Sequence, residues 1–181
     1  MSASEILRTV VTQLDAAGIP FMLTGSVAAA AYGAGRATMD VDLVIDATSA
    51  QLRRLVAALS GPDVYVSGDA ALQALADQSM FNVIDSATGW KADLIIRKAR
   101  PFSVTEFGRR TPLEFDGMQL WVATVEDVIV AKLEWAKTGG SARQLEDVSA
   151  LVRVAGDALD LGYIERWVAA LGLVPQWQAA R

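Results

Sequence analysis

Two aspartates one residue apart carry the clearest chemical signal in the chain. Asp40 and Asp42 lie in residues 38–45, where apolar side chains occupy positions 41, 43 and 45. Residues i and i+2 of a β-strand point to the same face, so the two carboxylates are predicted to project side by side, opposite a core-facing apolar row. Adjacent carboxylates repel each other unless a positive charge lies between them. Because hard divalent cations bind through oxygen, the pair is a candidate metal site, although two solvated aspartates at a strand end would show the same pattern.

A third acid, Asp93, stands alone among apolar neighbours in residues 92–96. An unpaired carboxylate buried in such a strand would cost several kcal/mol. A metal shared with the first two aspartates would offset that cost, and so would a salt bridge to Arg36 or Lys91. Asp93 therefore favours a metal site over a solvated pair without excluding the salt bridge.

A small-residue turn, Gly25-Ser26, follows the apolar run Phe21–Thr24, where a predicted strand passes into an Ala-rich helix. Free backbone N–H groups and the helix dipole make a helix start favourable for anions, and glycine lets a phosphate approach closely. The Ser26 hydroxyl adds a donor. The simpler interpretation is that Ser26 is an ordinary helix N-cap.

Composition narrows the chemistry further. The chain has 181 residues, 52% of them hydrophobic, and contains neither cysteine nor histidine. Disulfides, thiol nucleophiles, Cys/His zinc sites and His-based triads are therefore excluded. The net charge of −5 argues against a broad grip on long nucleic acid but leaves room for a short, salt-dependent contact. The local basic cluster suited to it comprises Arg97, Lys98, Arg100, Arg109 and Arg110.

Helix and strand signals alternate before a helical region, which predicts an α/β (α+β) fold with a mixed sheet, helices packed against it and a C-terminal helical region. The chain is predicted to divide into a catalytic core at 1–123 and a C-terminal helical region, packed on that core, at 124–181. A Ser2–Glu5 capping box opens the first helix, and Asp116-Gly117 indicates a hairpin. Trp121, Trp135 and Trp167 are expected in the core or in helix packing, and Trp177 in an exposed apolar tail suited to a partner contact. The predicted strands are 21–24, 39–45, 80–85, 90–96, 113–115 and 118–122, and the later helices are 26–32, 49–59, 70–76, 124–137, 141–153 and 160–170.

No apolar run reaches the roughly 18 residues that a membrane helix needs, and the first residues lack the features of a signal peptide. A cytoplasmic protein without a membrane partner is expected.

The combined motif resembles the DNA polymerase β-like nucleotidyltransferase superfamily. LTGS at 23–26 is followed, after thirteen residues, by DVD at 40–42, with Asp93 as the third acid on a later strand. The resemblance implies a nucleotidyltransferase fold in which Asp40, Asp42 and Asp93 bind Mg²⁺ or Mn²⁺ and Asp93 helps to activate the attacking hydroxyl. Gly25 and Ser26 would hold phosphates of a nucleoside triphosphate, assisted by Arg36. The reaction implied is transfer of a nucleoside monophosphate to a hydroxyl of RNA, such as tRNA, or of protein.

A narrower resemblance is to small bacterial nucleotidyltransferase-like proteins related to abortive-infection toxins of the AbiE (AbiEii) type. It rests on RxTxDxD at 36–42, FNVID at 81–85 and GWKADL at 89–94. It implies that Lys132 contacts the triphosphate and that Asp147 positions the triphosphate or the acceptor, in a toxin–antitoxin or phage-defence setting with a cognate protein partner. The alternative for both residues is an ordinary solvated helix face.

Two other functions remain open at this stage. One is an inactive binding or antitoxin module of the same fold, which recognises a nucleotide or a partner protein. The other is a glycosyltransferase that uses Asp40-Val41-Asp42 as its metal motif. The second leaves Gly25-Ser26 unexplained and is ranked lower.

Overall fold

The computed structural model describes residues 2–35 and 38–181, apart from the side chain of Ala3. Predicted site residue Arg36 lies outside the described residues. The strands are β1 (Phe21–Thr24), β2 (Asp40–Ile45), β3 (Val64–Val66), β4 (Met80–Asp85), β5 (Lys91–Ile96), β6 (Thr111–Phe115) and β7 (Met118–Val122). The helices are α1 (Ala3–Ala16), α2 (Gly25–Ala31), α3 (Ser49–Leu59), α4 (Gly68–Asp77), α5 (Pro101–Arg109), α6 (Val125–Gly139), α7 (Ala142–Ala155), α8 (Leu161–Ala170) and α9 (Val174–Ala179), with a 3-10 turn at Gly156–Ala158.

The chain folds into two compact units that interleave along the sequence. The first unit, here called the sheet unit, comprises Met1–Leu23 and Thr38–Val122. The second, the helical unit, comprises Thr24–Ala37 and Ala123–Arg181. The predicted division into 1–123 and 124–181 stays a prediction.

The sheet unit is built on seven strands in the order β3-β4-β5-β2-β1-β7-β6. β2 runs parallel to β5 and β1 parallel to β7, whereas β3–β4, β4–β5 and β6–β7 are antiparallel pairs. The predicted α/β class with a mixed sheet is confirmed. Both predicted hairpins are present, and the second turns at Asp116 and Gly117, which have φ values of 49° and 70°.

Helix α1 covers the apolar side of β2 and β5. The predicted Ser2–Glu5 capping box satisfies its first N–H groups. Apolar residues at helical spacing along it, from Ile6 to Leu14, are almost completely buried. Beneath them, successive side chains of β2 point to opposite faces of the sheet. Val41, Leu43 and Ile45 are completely buried, and residues 40 and 42 lie on the opposite face.

The helical unit packs around α6, which contacts α2, α7, α8 and α9. The Thr124 hydroxyl caps α6 by accepting a hydrogen bond from the Asp127 backbone N–H. The Tyr32 hydroxyl, at the end of α2, donates to the Ala123 carbonyl at 2.8 Å and ties α2 to the segment before α6.

Three elements were not predicted, namely β3, α5 and α9. β3 has only three residues, and the N-cap of α5 is Arg100 rather than a Ser, Thr, Asp or Asn, so the usual N-cap signal is missing there. The expected exposed tail is wrong, because α9 buries Trp177 to 5% exposure.

Two other tryptophans do not lie in the core, which was one of the two placements expected for them: Trp121 is 44% exposed and Trp135 is 52% exposed. Apolar neighbours in the sequence do not reveal which face of a strand or helix a side chain occupies.

Across the described parts of the chain, no helix combines the length and apolar character needed to cross a membrane.

Candidate active site

The structure brings Asp40, Asp42 and Asp93 onto one face of two neighbouring parallel strands. In the β2–β5 register, Asp42 lies opposite Asp93 and Asp40 lies opposite Lys91. β4 extends the same row, because Asn82 lies opposite Asp93 on the other side of β5. Sheet pairing therefore places three acids, one amide and one ammonium group side by side, which we call the acidic row.

Asp93 is the most enclosed member of the acidic row, with 6% exposure. The Asn82 side-chain amide donates to its Oδ1 at 2.5 Å, and the Lys91 ammonium donates to its Oδ2 at 3.2 Å. Both carboxylate oxygens thus have a partner, as a buried carboxylate requires. Sequence reasoning gave Asn82 no role, although an amide inside an otherwise apolar strand was the available signal.

Lys91 supplies the positive charge that the sequence requires between the acids. Its Nζ lies 3.2 Å from Asp93 Oδ2 and 3.5 Å from Asp40 Oδ1. Partial burial acts to lower the pKa of Lys91, but the hydrogen bond to Asp93 and the charges of Asp93 and Asp40 outweigh it, so the pKa is raised overall. Of the two cations that the sequence offered to Asp93, Lys91 makes a salt bridge with it, and Arg36 lies outside the described residues.

The acidic row has the chemistry of a magnesium site but not its closed geometry. Within the described ranges, no three carboxylates gather as they would around one ion. The donor set of three carboxylates nevertheless suits a hard cation. The Lys91 side chain is 35% exposed, so the ammonium that bridges Asp40 and Asp93 is in contact with solvent.

The predicted phosphate-binding turn belongs to the helical unit. Gly25 has a φ of 66°, a left-handed conformation that glycine adopts without strain and other residues rarely adopt. Ser26 is buried and is not the N-cap; that position is Thr24, whose side chain makes no capping hydrogen bond. The N-cap interpretation of Ser26 is therefore wrong.

Lys132 and Asp147 form a buried ion pair within the helical unit. Lys132 Nζ lies 2.7 Å from Asp147 Oδ2, and the two side chains are 3% and 8% exposed. The Gln144 carbonyl oxygen accepts a second bond from Lys132 at 3.2 Å. The alternative of a solvated helix face is therefore wrong, and the pair joins α6 to α7.

A second polar centre in the helical unit was not predicted. Asp127 is completely buried, and its two carboxylate oxygens accept hydrogen bonds from the Thr124 and Tyr163 hydroxyls at 2.7 Å and 2.5 Å. These bonds fix the start of α6 against α8. An acid three residues after threonine is the sequence signal of a capped helix, but nothing in the sequence identifies the tyrosine.

No protein-family model and no curated protein sequence matches the chain. Solved structures do match. The antibiotic-resistance factor ANT(2″)-Ia, in complex with adenylyl-2″-tobramycin, superposes with a TM-score of 0.61 at 13% identity, over 98% of this chain and 99% of that one. An antigenic nucleotidyltransferase-like protein from Paracoccidioides brasiliensis gives 0.58 at 19% identity, over 99% and 93%. JHP933 from Helicobacter pylori gives 0.54 at 20% identity, over 98% and 78%.

The chain has a nucleotidyltransferase fold. The fold that the resemblance implied is thereby confirmed. One fold supports many activities, so the activity of this chain depends on the residues at its own site.

We expect Lys91→Met to destabilise the protein by about 1–3 kcal/mol in EDTA, because the buried Asp93 carboxylate loses a charged partner. Millimolar Mg²⁺ should restore more stability to Lys91→Met than it adds to the natural chain, since no ammonium then competes for the acids. Urea unfolding with and without Mg²⁺ measures both effects.

Lys91→Met combined with Asp93→Asn is the matched control for that experiment. An equal response to Mg²⁺ in the single variant, the double variant and the natural chain would contradict a cation site in the acidic row.

Lys132→Met should cost about 3–5 kcal/mol of unfolding free energy, because it leaves Asp147 buried and unpaired. Lys132→Met/Asp147→Leu should recover most of that loss. The exposed pair Arg181–Glu165, at 3.5 Å, provides the control, and Glu165→Gln should cost less than about 1 kcal/mol. Chemical denaturation that gave Lys132→Met and Glu165→Gln the same small effect would overturn the structural role of the buried pair.

Proposed function

We propose that this protein is a metal-dependent nucleotidyltransferase that transfers a nucleoside monophosphate from a nucleoside triphosphate to a hydroxyl acceptor and releases pyrophosphate. The observation that carries the proposal is the β2–β5 register, which aligns Asp42 with Asp93 and sets Asp40 on the same face. The nucleotidyltransferase fold and the Gly25-Ser26 spacing support it.

Asp40, Asp42 and Asp93 would hold Mg²⁺ or Mn²⁺, which supplies charge neutralisation at the reacting phosphate when bound. Asp93 is the carboxylate suited to take the acceptor proton, because it is buried and its position is fixed by Asn82. The acceptor oxygen then bonds to the α-phosphorus as the bond to pyrophosphate breaks. The hydroxyl proton goes to Asp93.

Gly25 and Ser26 are proposed to contact the β- and γ-phosphates, and Arg36 to assist them. The support is the left-handed backbone at Gly25, where glycine lets a phosphate approach closely, at the start of α2. For Lys132 we propose a triphosphate contact and for Asp147 a positioning role. Their mutual ion pair makes Asp147 the group that orients the Lys132 ammonium.

The acceptor is proposed to be RNA, such as tRNA, or protein. The AbiE-type resemblance adds a toxin–antitoxin or phage-defence setting with a cognate protein partner. The compared ANT(2″)-Ia structure contains an adenylyl group joined to tobramycin, so a small-molecule hydroxyl is included among the acceptors to be tested.

A second candidate function is a binding or antitoxin module without turnover. The observation that favours it is the Lys91 bridge, which already neutralises part of the acidic row. In such a module the ammonium would stay in place permanently, and the protein would bind a nucleotide or partner without chemistry.

We expect Asp42→Asn to lower nucleotidyl transfer at least about a hundredfold, equivalent to about 2.7 kcal/mol of transition-state stabilisation, while the fold is retained. The measurement is transfer of radiolabel from the α-phosphate of each common NTP into total RNA, cell protein and an aminoglycoside, with Mg²⁺ or Mn²⁺. Asp15→Asn, on the exposed side of α1, changes the same charge outside the site and should keep full activity.

An Asp42→Asn protein that transfers label as fast as the natural chain would remove the acidic row from the reaction. Absence of transfer to every acceptor by folded natural protein would favour the binding module instead.

A further inference from the structure

Lys91 lies between an enclosed and an open member of the acidic row. The exposed fraction of the side chain is 9% at Asp93, 35% at Lys91 and 45% at Asp40. The Lys91 ammonium bridges the two acids, at 3.2 Å from Asp93 Oδ2 and 3.5 Å from Asp40 Oδ1. A ligand that enters the acidic row from the side of Asp40 therefore meets the ammonium before it meets Asp93.

The two oxygens of Asp93 differ in how firmly their partners are held. Asn82 donates to Oδ1 at 2.5 Å, and the pairing of β4 with β5 fixes its backbone directly opposite Asp93. Lys91 donates to Oδ2 at 3.2 Å from the end of a flexible four-carbon side chain. A metal that takes Asp93 as a ligand therefore replaces the ammonium at Oδ2 and leaves the hydrogen bond from Asn82 intact.

An ammonium displaced from Asp93 needs another anion. Asp40 and Asp93 are the anionic partners of Lys91 among the described residues, and both are proposed ligands of the same metal. A metal held by these acids repels the ammonium, because like charges a few Å apart interact unfavourably. Lys91 and Asp93 lie two residues apart in β5, so the side chain of Lys91 stays on the face of the acidic row. A triphosphate bound at that face supplies phosphate oxygens, which suit the compact charge of a lysine ammonium.

We propose that Lys91 exchanges partners when the nucleotide binds. Its ammonium holds Asp40 and Asp93 in the free protein, releases them to the metal, and then contacts the phosphates of the nucleoside triphosphate. Lys91 is thereby a substrate-binding residue that couples the two ligands, because metal and triphosphate each favour the position of the ammonium that the other requires. This inference rests on the proposed function and deepens it by naming how the same site is regulated.

The exchange predicts opposite effects of one substitution on two affinities. Lys91→Met should bind Mn²⁺ alone about tenfold more tightly than the natural chain, because no ammonium competes for the acids. At saturating Mn²⁺ the same variant should bind a non-hydrolysable NTP analogue about tenfold more weakly, because a phosphate contact is lost. A residue that only held Asp93 in place would weaken both affinities when replaced. A residue that only competed with the metal would not weaken nucleotide binding when replaced.

The test measures each affinity by itself, without turnover. Electron paramagnetic resonance follows the loss of the free Mn²⁺ signal, and calorimetry follows binding of a non-hydrolysable analogue of each common NTP, in EDTA and in Mn²⁺. Lys91→Gln is the second variant, because its neutral amide keeps a hydrogen-bond donor for Asp93 and protects the fold. It should change both affinities in the same directions as Lys91→Met. Lys98→Met removes the same charge from an exposed lysine beyond the end of β5 and should change neither affinity.

The proposal is overturned if replacement of Lys91 weakens both affinities, or if it strengthens Mn²⁺ binding without weakening nucleotide binding. A natural chain that binds the analogue equally well in EDTA and in Mn²⁺ also overturns it, since nothing then couples the two ligands. A natural chain that binds neither Mn²⁺ nor any analogue overturns the proposed function as well. Binding of both ligands without opposite effects of Lys91→Met overturns the exchange alone.

Discussion

The pairing of β2 with β5 is the constraint on which the rest of the site depends. A shift of one residue in a strand would move every side chain to the opposite face. The completely buried side chains of Val41, Leu43 and Ile45 prevent that shift, because moving them outward would expose three apolar groups and bury two aspartates. Core packing on one side of the strand therefore fixes the carboxylates on the other.

Among the described residues, Asn82 and Lys91 offset part of the cost of gathering acids on one sheet face. Asn82 fixes one oxygen of Asp93, and Lys91 neutralises charge across both strands. Lys91 is therefore a stabilising partner of the acids, and in the proposed reaction it would compete with the metal for Asp40 and Asp93. An exchange of ammonium for metal would change the charge and the ligand geometry at the site without any change in the backbone.

The sequence was informative where a local pattern of residue types is compatible with only one local structure. The alternation of apolar and acidic residues predicted β2 and its two faces. The Ser2–Glu5 capping box located the start of a helix, and Asp116-Gly117 located the turn of a hairpin. The sequence was uninformative where the answer depends on packing between distant segments. It could not decide which cation would reach Asp93, nor that Trp121 would lie on the open face of an edge hairpin.

The same distinction applies to the helical unit. A lysine and an aspartate fifteen residues apart are as typical of two solvated helix faces as of an ion pair, and only the packing of α6 against α7 buries them. Burial makes this pair costly to break, because loss of one partner leaves the other charge buried and unpaired. In the proposed reaction the pair fixes the direction of the Lys132 ammonium.

The most direct test of the account is the location of Mn²⁺ in crystals grown with a non-hydrolysable nucleoside triphosphate, from anomalous scattering at the manganese edge. The account predicts a peak within coordination distance of Asp40, Asp42 and Asp93, with the Lys91 ammonium moved away from Asp93. A nucleotide-bound crystal without manganese at the acidic row, and with Lys91 still bridging Asp40 and Asp93, would contradict it.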